Sequence, residues 1–211
     1  REEAERKARE EAARKAREVA REEEARKASE EAERRRRLGI YAVGDYYNDG
    51  VREGVVFEVS ADGRHGKIAS MKQSAELQWA INERKFGLFK SEAERLIGAD
   101  SETDGAANMA KVKAISGWRE KYPAFKWCAD LGEGWYLPSK EELLTIYKNK
   151  YKLNPNLTDK LSEGWHWHWS STESDKQHSP YFCAWNVNVG NGRTGYLDKS
   201  IIYYVRAVSA F

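Results

Sequence analysis

The first 38 residues constrain the chain most, because they cannot fold into a core. Residues 1–38 are almost wholly Glu, Arg, Lys and Ala, with neither Gly nor Pro. These are strong helix formers, and opposite charges recur three or four residues apart, as in Glu3–Lys7 and Glu11–Lys15. The run predicts one helix roughly 55 Å long. Its apolar residues are nearly all alanines spaced by four, with Val19 the larger exception. That spacing drifts around the helix, so no Leu/Ile seam forms. The run reads as a solvated spacer, with a coiled-coil stalk mediating self-association as the alternative. Arg34–Arg37 places cations at the helix C-terminus, where the dipole suits them.

All globular structure must then come from residues 39–211. Of the 36 basic and 34 acidic residues, 14 and 12 fall in 1–38. The remainder carries equal numbers of each sign, which gives no electrostatic reason to expect nucleic acid as a partner. No stretch reads as a membrane-spanning helix or an export signal. Eight Trp, eleven Tyr and sixteen Gly imply a large aromatic core with many turns. Cys128 reads as a helical core residue and Cys183 as an exposed or half-exposed one.

Tyr41–Tyr47 followed by Asn48-Asp-Gly50 predicts a strand and turn, and Val55–Ser60 with Lys67–Ser70 predicts a hairpin. A short helix is expected near Ser91–Leu96, another over Ala106–Ser116, and a third over Trp118–Leu131, interrupted at Pro123 and stopped by Gly132. Trp135–Leu137 reads as a short buried strand. Ser139 and Glu142 then form a capping box ahead of Leu143, Leu144 and Ile146. Residues 165–211 are β-rich, with a turn at Gly190-Asn-Gly192.

Within residues 164–211 two kinds of position alternate. Trp167, Trp169-Ser-Ser-Thr-Glu173, Ala184-Trp185, Val187, Val189, Lys199 and Tyr204–Phe211 read as framework. His166, His168, Tyr181, Phe182, Cys183, Asn186, Asn188, Arg193, Gly195, Tyr196, Leu197, Asp198, Ser200, Ile201, Ile202 and Tyr203 are chemically miscellaneous. Outward positions of this mixture resemble a paratope, which makes ligand binding the expected role.

Gly134-Trp-Tyr-Leu-Pro138 with Glu141-Glu-Leu143, Trp169-Ser-Ser-Thr-Glu173, Ala184-Trp185 and Tyr204-Val-Arg-Ala-Val208 together resemble the C-type-lectin-like domains of Bacteroides-type surface proteins. Within that group the tail resembles the variable proteins of diversity-generating retroelements. The resemblance covers about residues 40–211 and implies an α+β, C-type-lectin-like domain behind the charged helix. It also implies display on a cell surface, outside the cell or on a phage particle, with a protein or glycan as ligand. In such systems a template is copied with errors at adenines. An AAC or AAT codon altered there cannot yield Lys, Glu, Gln, Met or Trp. The sixteen miscellaneous positions all obey this rule, and the framework holds the forbidden types, among them Trp167, Trp169, Glu173, Trp185 and Lys199. Lys176 and Gln177 break the pattern within Ser174–Pro180. A non-diversified structural or adhesin domain of the same fold is the competing reading.

No enzymatic chemistry is expected. His166 and His168 share a strand face and could begin a zinc site, but no third ligand stands at a defined spacing, and the nearby Asp175 and His178 do not supply one. A lectin-type calcium site needs clustered carboxylates and amides. Asn186 and Asn188 lack an acidic neighbour, so neither metal nor cofactor is expected.

Overall fold

The computed structural model describes residues 2–81, 96–161, 166–174 and 183–211. The chain divides into two compact units, Arg1–Tyr41 and Ala42–Phe211. The first is helix α1, Glu2–Arg37, with acidic residues in its first turn and four arginines in its last. Exposed i,i+4 pairs such as Glu3–Lys7 and Glu11–Lys15 line it at 3.0 and 2.8 Å. Each such pair contributes only about 0.3–0.5 kcal/mol, so intrinsic propensity sustains the rod.

The second unit has α+β architecture. Strands β1 (Tyr46–Asn48), β2 (Glu53–Val59) and β3 (Gly66–Ser70) form an antiparallel sheet. The last strand of the chain, β9 (Val208–Ala210), completes it in the order β1-β2-β3-β9. The expected hairpin is present, with a register shift between Val56 and Glu58. The strand expected from Tyr41 begins only at Tyr46. Gly44 has φ 98°, and a Cβ there would meet the Lys152 carbonyl oxygen at 2.8 Å. Asp45 accepts from the Ala42 amide at 2.9 Å, which fixes a turn where a strand was expected.

The helices follow local signals closely. Asp104 caps α2 (Gly105–Lys113). Pro123 divides the next expected helix into α3 (Trp118–Lys121) and α4 (Pro123–Asp130), where it occupies a first-turn position. The Ser139–Glu142 capping box opens α5 (Lys140–Lys148), and α6 (Lys150–Leu153) follows. Of the helix expected near Ser91–Leu96, residues 91–95 lie outside the described residues. Trp135–Leu137 makes a single bridge, Tyr136 to Val208, in place of a strand.

A two-stranded ladder pairs β4 (Leu77–Gln78) with β8 (Ile202–Tyr203). A third sheet orders β5 (Trp167–Glu173), β6 (Cys183–Asn188) and β7 (Thr194–Asp198). A parallel bridge from His168 to Tyr204 links β5 to the end of β8. Trp79 sits edge-on to Tyr122 and Phe125 at 5.7 and 4.8 Å and forms the aromatic part of the core.

Candidate binding surface

The register of the three-stranded sheet sorts the tail into two faces. Trp167 opposes Asn188, Trp169 opposes Asn186, and Asn186 opposes Gly195, so these side chains share one face with Leu197. His168, Cys183, Trp185, Val187, Tyr196 and Asp198 lie on the other. On that second face the Lys140 ammonium of α5 sits 4.6 Å from the Trp185 ring, and Tyr196 meets Trp185 edge-on at 5.5 Å. On the first face Tyr203 packs against Trp169 at 4.9 Å and Trp167 at 6.3 Å.

Strand β5 of this sheet carries a buried polar run, Ser170–Glu173, whose groups are satisfied one by one. Ser170 donates to the Trp185 carbonyl at 2.8 Å, and Ser171 accepts from Asn108 at 3.0 Å. Thr172 donates to the Ser101 carbonyl at 2.9 Å. Glu173 accepts backbone N–H groups from Ile97, Gly98 and Ala99 at 3.1, 2.8 and 3.1 Å. The Lys199 ammonium donates to the same carboxylate and lies 4.5 Å from the Trp79 ring. Lys199 and Glu173 are both buried. Burial pulls the Lys199 pKa down, opposed by the Glu173 charge. Arg206 is likewise buried and donates to the carbonyls of Ser70 and Asp159, both at 2.7 Å. Thus the framework charges face inward and tie the tail to the preceding loops.

Around Lys199 the chain turns outward. Asp198 accepts from the Ser200 amide at 2.8 Å and closes the β7–β8 turn. Leu197, Ile201 and Ile202 are 44%, 42% and 51% exposed. Both isoleucines face out, which excludes the simple arrangement with one in the core. His166, Gly195, Tyr196, Asp198, Ser200 and Tyr203 are half-buried, and Arg193 is exposed. Burial and the nearby Glu76 charge raise the Tyr203 pKa, so its phenol is neutral at physiological pH.

Four candidate positions do not face outward. His168, Asn186, Asn188 and Cys183 retain only 1%, 1%, 2% and 9% exposure. The expectation of an outward side chain is corrected for all four, including the half-exposed reading of Cys183. His168 places Nδ1 3.2 Å from the His166 carbonyl and Nε2 3.0 Å from Gln73 Oε1, and the neutral ring donates its one N–H to one of these two oxygens. Burial, then the Arg206 charge, depresses its pKa to about 3. Asn188 accepts from the Gly190 and Asn191 amides at 2.9 and 3.2 Å and shapes the turn after β6. Asn186 lies under Gly195, where a Cβ would come within 2.9 Å of its Oδ1. Its Nδ2 has no hydrogen-bond partner among the described residues. Strict alternation misleads here because α5 covers one face of the sheet and Tyr203 part of the other.

Tyr181 and Phe182 lie outside the described residues. Sequence reasoning omits Thr194, which is exposed at the start of β7 and belongs to the codon-permitted types. It also places Trp167 wholly in the framework, although that ring is half-exposed beside Tyr203. Among the described residues, no group of three His, Cys, Asp or Glu side chains is arranged to hold a metal.

The model of the Lcl C-terminal domain matches residues 71–209. The chain belongs to that family. No curated protein matches it. The matched Lcl C-terminal domain segment takes in the Glu173–Lys199 pair, Arg206 and the exposed β7–β8 run, and leaves out α1 and β1–β3. No described helix is long and apolar enough to cross a membrane.

Proposed function

We propose that this chain is a ligand-binding protein of receptor or adhesin type. Its contact surface is built on β7, β8 and the adjoining edge of β5. The observation that carries this reading is the run Leu197, Ile201 and Ile202, exposed together beside the half-buried Tyr203 and Trp167 and held from below by Lys199. Exposed apolar groups gathered next to aromatic rings and an exposed Arg193 have the composition of an interaction surface. The ligand is a protein or glycan on another cell, virus or host, and the protein works at a cell surface, outside the cell or on a phage particle.

The fold is read as C-type-lectin-like. The motifs that carry the resemblance sit at its joints: Tyr136 bridges to β9, Trp169–Glu173 is the buried strand, and Tyr204–Val208 leads into the last pairing. The surface is read as hypervariable through retroelement-driven adenine mutagenesis. Among the described residues, the burial pattern narrows the positions free to vary to His166, Arg193, Gly195, Tyr196, Leu197, Asp198, Ser200, Ile201, Ile202 and Tyr203, with Thr194 added. Gly195 tolerates change only if Asn186 moves.

Sequencing the DNA around this gene, and many copies of its 3′ end, tests the reading. A neighbouring reverse-transcriptase gene, an adenine-biased near-repeat, and substitutions concentrated at the exposed codons are expected. Without the gene and the repeat, diversification fails and the competing reading holds, a fixed adhesin domain of the same fold. The burial of His168, Cys183, Asn186 and Asn188 favours that second reading at those four positions.

A further inference from the structure

Which of the two ligand classes fits the β7–β8 surface follows from its hydrogen bonds. Leu197, Ile201 and Ile202 flank a turn whose polar groups are already engaged inside the protein. Asp198 accepts from the Ser200 amide at 2.8 Å through its carboxylate and from the Ile201 amide at 3.0 Å through its carbonyl. The Ser200 carbonyl accepts from the Gln78 side-chain amide at 2.9 Å. The Lys199 carbonyl accepts from the Trp79 and Ala80 amides at 2.9 and 3.1 Å. The planar polar side chains of the neighbourhood are thus turned inward. Gln78 and Asp198 hold the turn, Asn188 holds the Gly190 and Asn191 amides, and Asn186 is buried. What the turn displays is hydrocarbon.

A sugar ring laid on this surface would bring several hydroxyls out of water with few groups to receive them, and each such loss disfavours binding. Aliphatic and aromatic side chains carry no such penalty and gain by leaving water. The half-buried Trp167 and Tyr203 rings beside the run extend the same apolar ground. Charge adds a direction. The Asn188 amide donates to the Arg193 carbonyl at 2.8 Å, which continues the β6–β7 pairing and sets Arg193 on the face of Leu197. Arg193 is exposed and Asp198 lies on the other face, so the run is positive at its β7 end, while Glu76 stands near Tyr203.

We infer that the partner is a protein rather than a glycan, one that presents an apolar patch to Leu197, Ile201 and Ile202 and a carboxylate to Arg193. This inference rests on the reading of β7–β8 as the contact surface and narrows its ligand class.

The test pans the full chain against a displayed library of random dodecapeptides and, in parallel, applies it to an immobilised panel of neutral and acidic glycans. Dissociation constants of the selected peptides are then measured for the native chain and for Ile202→Ser, Leu197→Ser, Arg193→Gln and, on the β1–β2 turn, Val51→Ser. All four residues are exposed, so the variants should fold. The peptides should combine aliphatic or aromatic residues with an acidic one, and no glycan should bind. Ile202→Ser and Leu197→Ser should weaken the peptides about ten-fold or more, and Val51→Ser should change nothing. Arg193→Gln should remove the advantage of each peptide over its counterpart with Asn or Gln in place of Asp or Glu. A glycan bound by the native chain and released by Ile202→Ser would overturn the protein assignment while leaving the contact surface in place. Peptides insensitive to both Ile202→Ser and Leu197→Ser, or no ligand of either kind, would overturn the surface as well.

Discussion

His168 illustrates how a residue that looks like a contact group becomes a structural one. Its ring is buried beside the His166 carbonyl and Gln73 Oε1, and its pKa is depressed to about 3, against an ordinary value of 6.5. The native state therefore resists protonation that the unfolded chain accepts between those two values. Over that window the unfolded state binds more protons, so stability is full above about pH 6.5 and falls as pH drops towards 3. The loss approaches about 1.4 kcal/mol per pH unit while only the unfolded ring is charged. Urea midpoints measured from pH 7 to pH 4 should show this fall, and His168→Gln should flatten it. At the same scale, Trp169→Ala should cost about 3–5 kcal/mol, since the ring is fully buried. Leu197→Ser, Ile202→Ser and Arg193→Ser should each change stability by less than about 0.5 kcal/mol. Thermal denaturation distinguishes the two groups, and equal losses in both would remove the division between framework and surface.

Among elements, β5 and the β7–β8 turn depend on each other through Glu173 and Lys199. Removing one partner of a buried pair leaves an uncompensated charge, so Lys199→Met should destabilise by about 3 kcal/mol or more. Amide exchange at Gly98 and Ala99 should accelerate with it, because their N–H groups donate to Glu173. The sequence makes much of this level legible. Ser139 and Glu142 announce α5, Pro123 marks the break between α3 and α4, and the apolar run Val55–Phe57 with the Asp62-Gly63 turn after it locates the β2–β3 hairpin, because caps, proline and turn residues act over a few residues. Tyr41–Ala42–Val43 has strand composition but enters a turn, since Gly44 must pass close to Lys152, over a hundred residues away. Which face of β6 is covered by α5 also depends on contacts distant in sequence. That is why the burial of Cys183, and of Asn186 and Asn188 opposite it, escapes pattern reading.

At the scale of the molecule, α1 and Ala42–Phe211 are separate compact units, and their stabilities should separate too. A chain starting at Ala42 should keep the cooperative unfolding midpoint of the full chain. The helical signal contributed by α1 should melt gradually, as expected for a solvated helix without a packed seam. Differential scanning calorimetry beside far-ultraviolet circular dichroism would check this, and a lowered midpoint for the shorter chain would contradict it.

Lys199 has a consequence for inheritance. Both lysine codons, AAA and AAG, begin with two adenines, the base that error-prone copying of the proposed kind alters. The fastener under the displayed run is thus written in the letters most exposed to rewriting, while Trp169 and Trp185, coded TGG, contain none. A copying process that does not spare codon 199 would discard a share of every generation as unfolded chains. Surviving copies should keep lysine there while their neighbours at 197, 198 and 200–202 drift, and the lysine should stand as a fixed mark within a changing text.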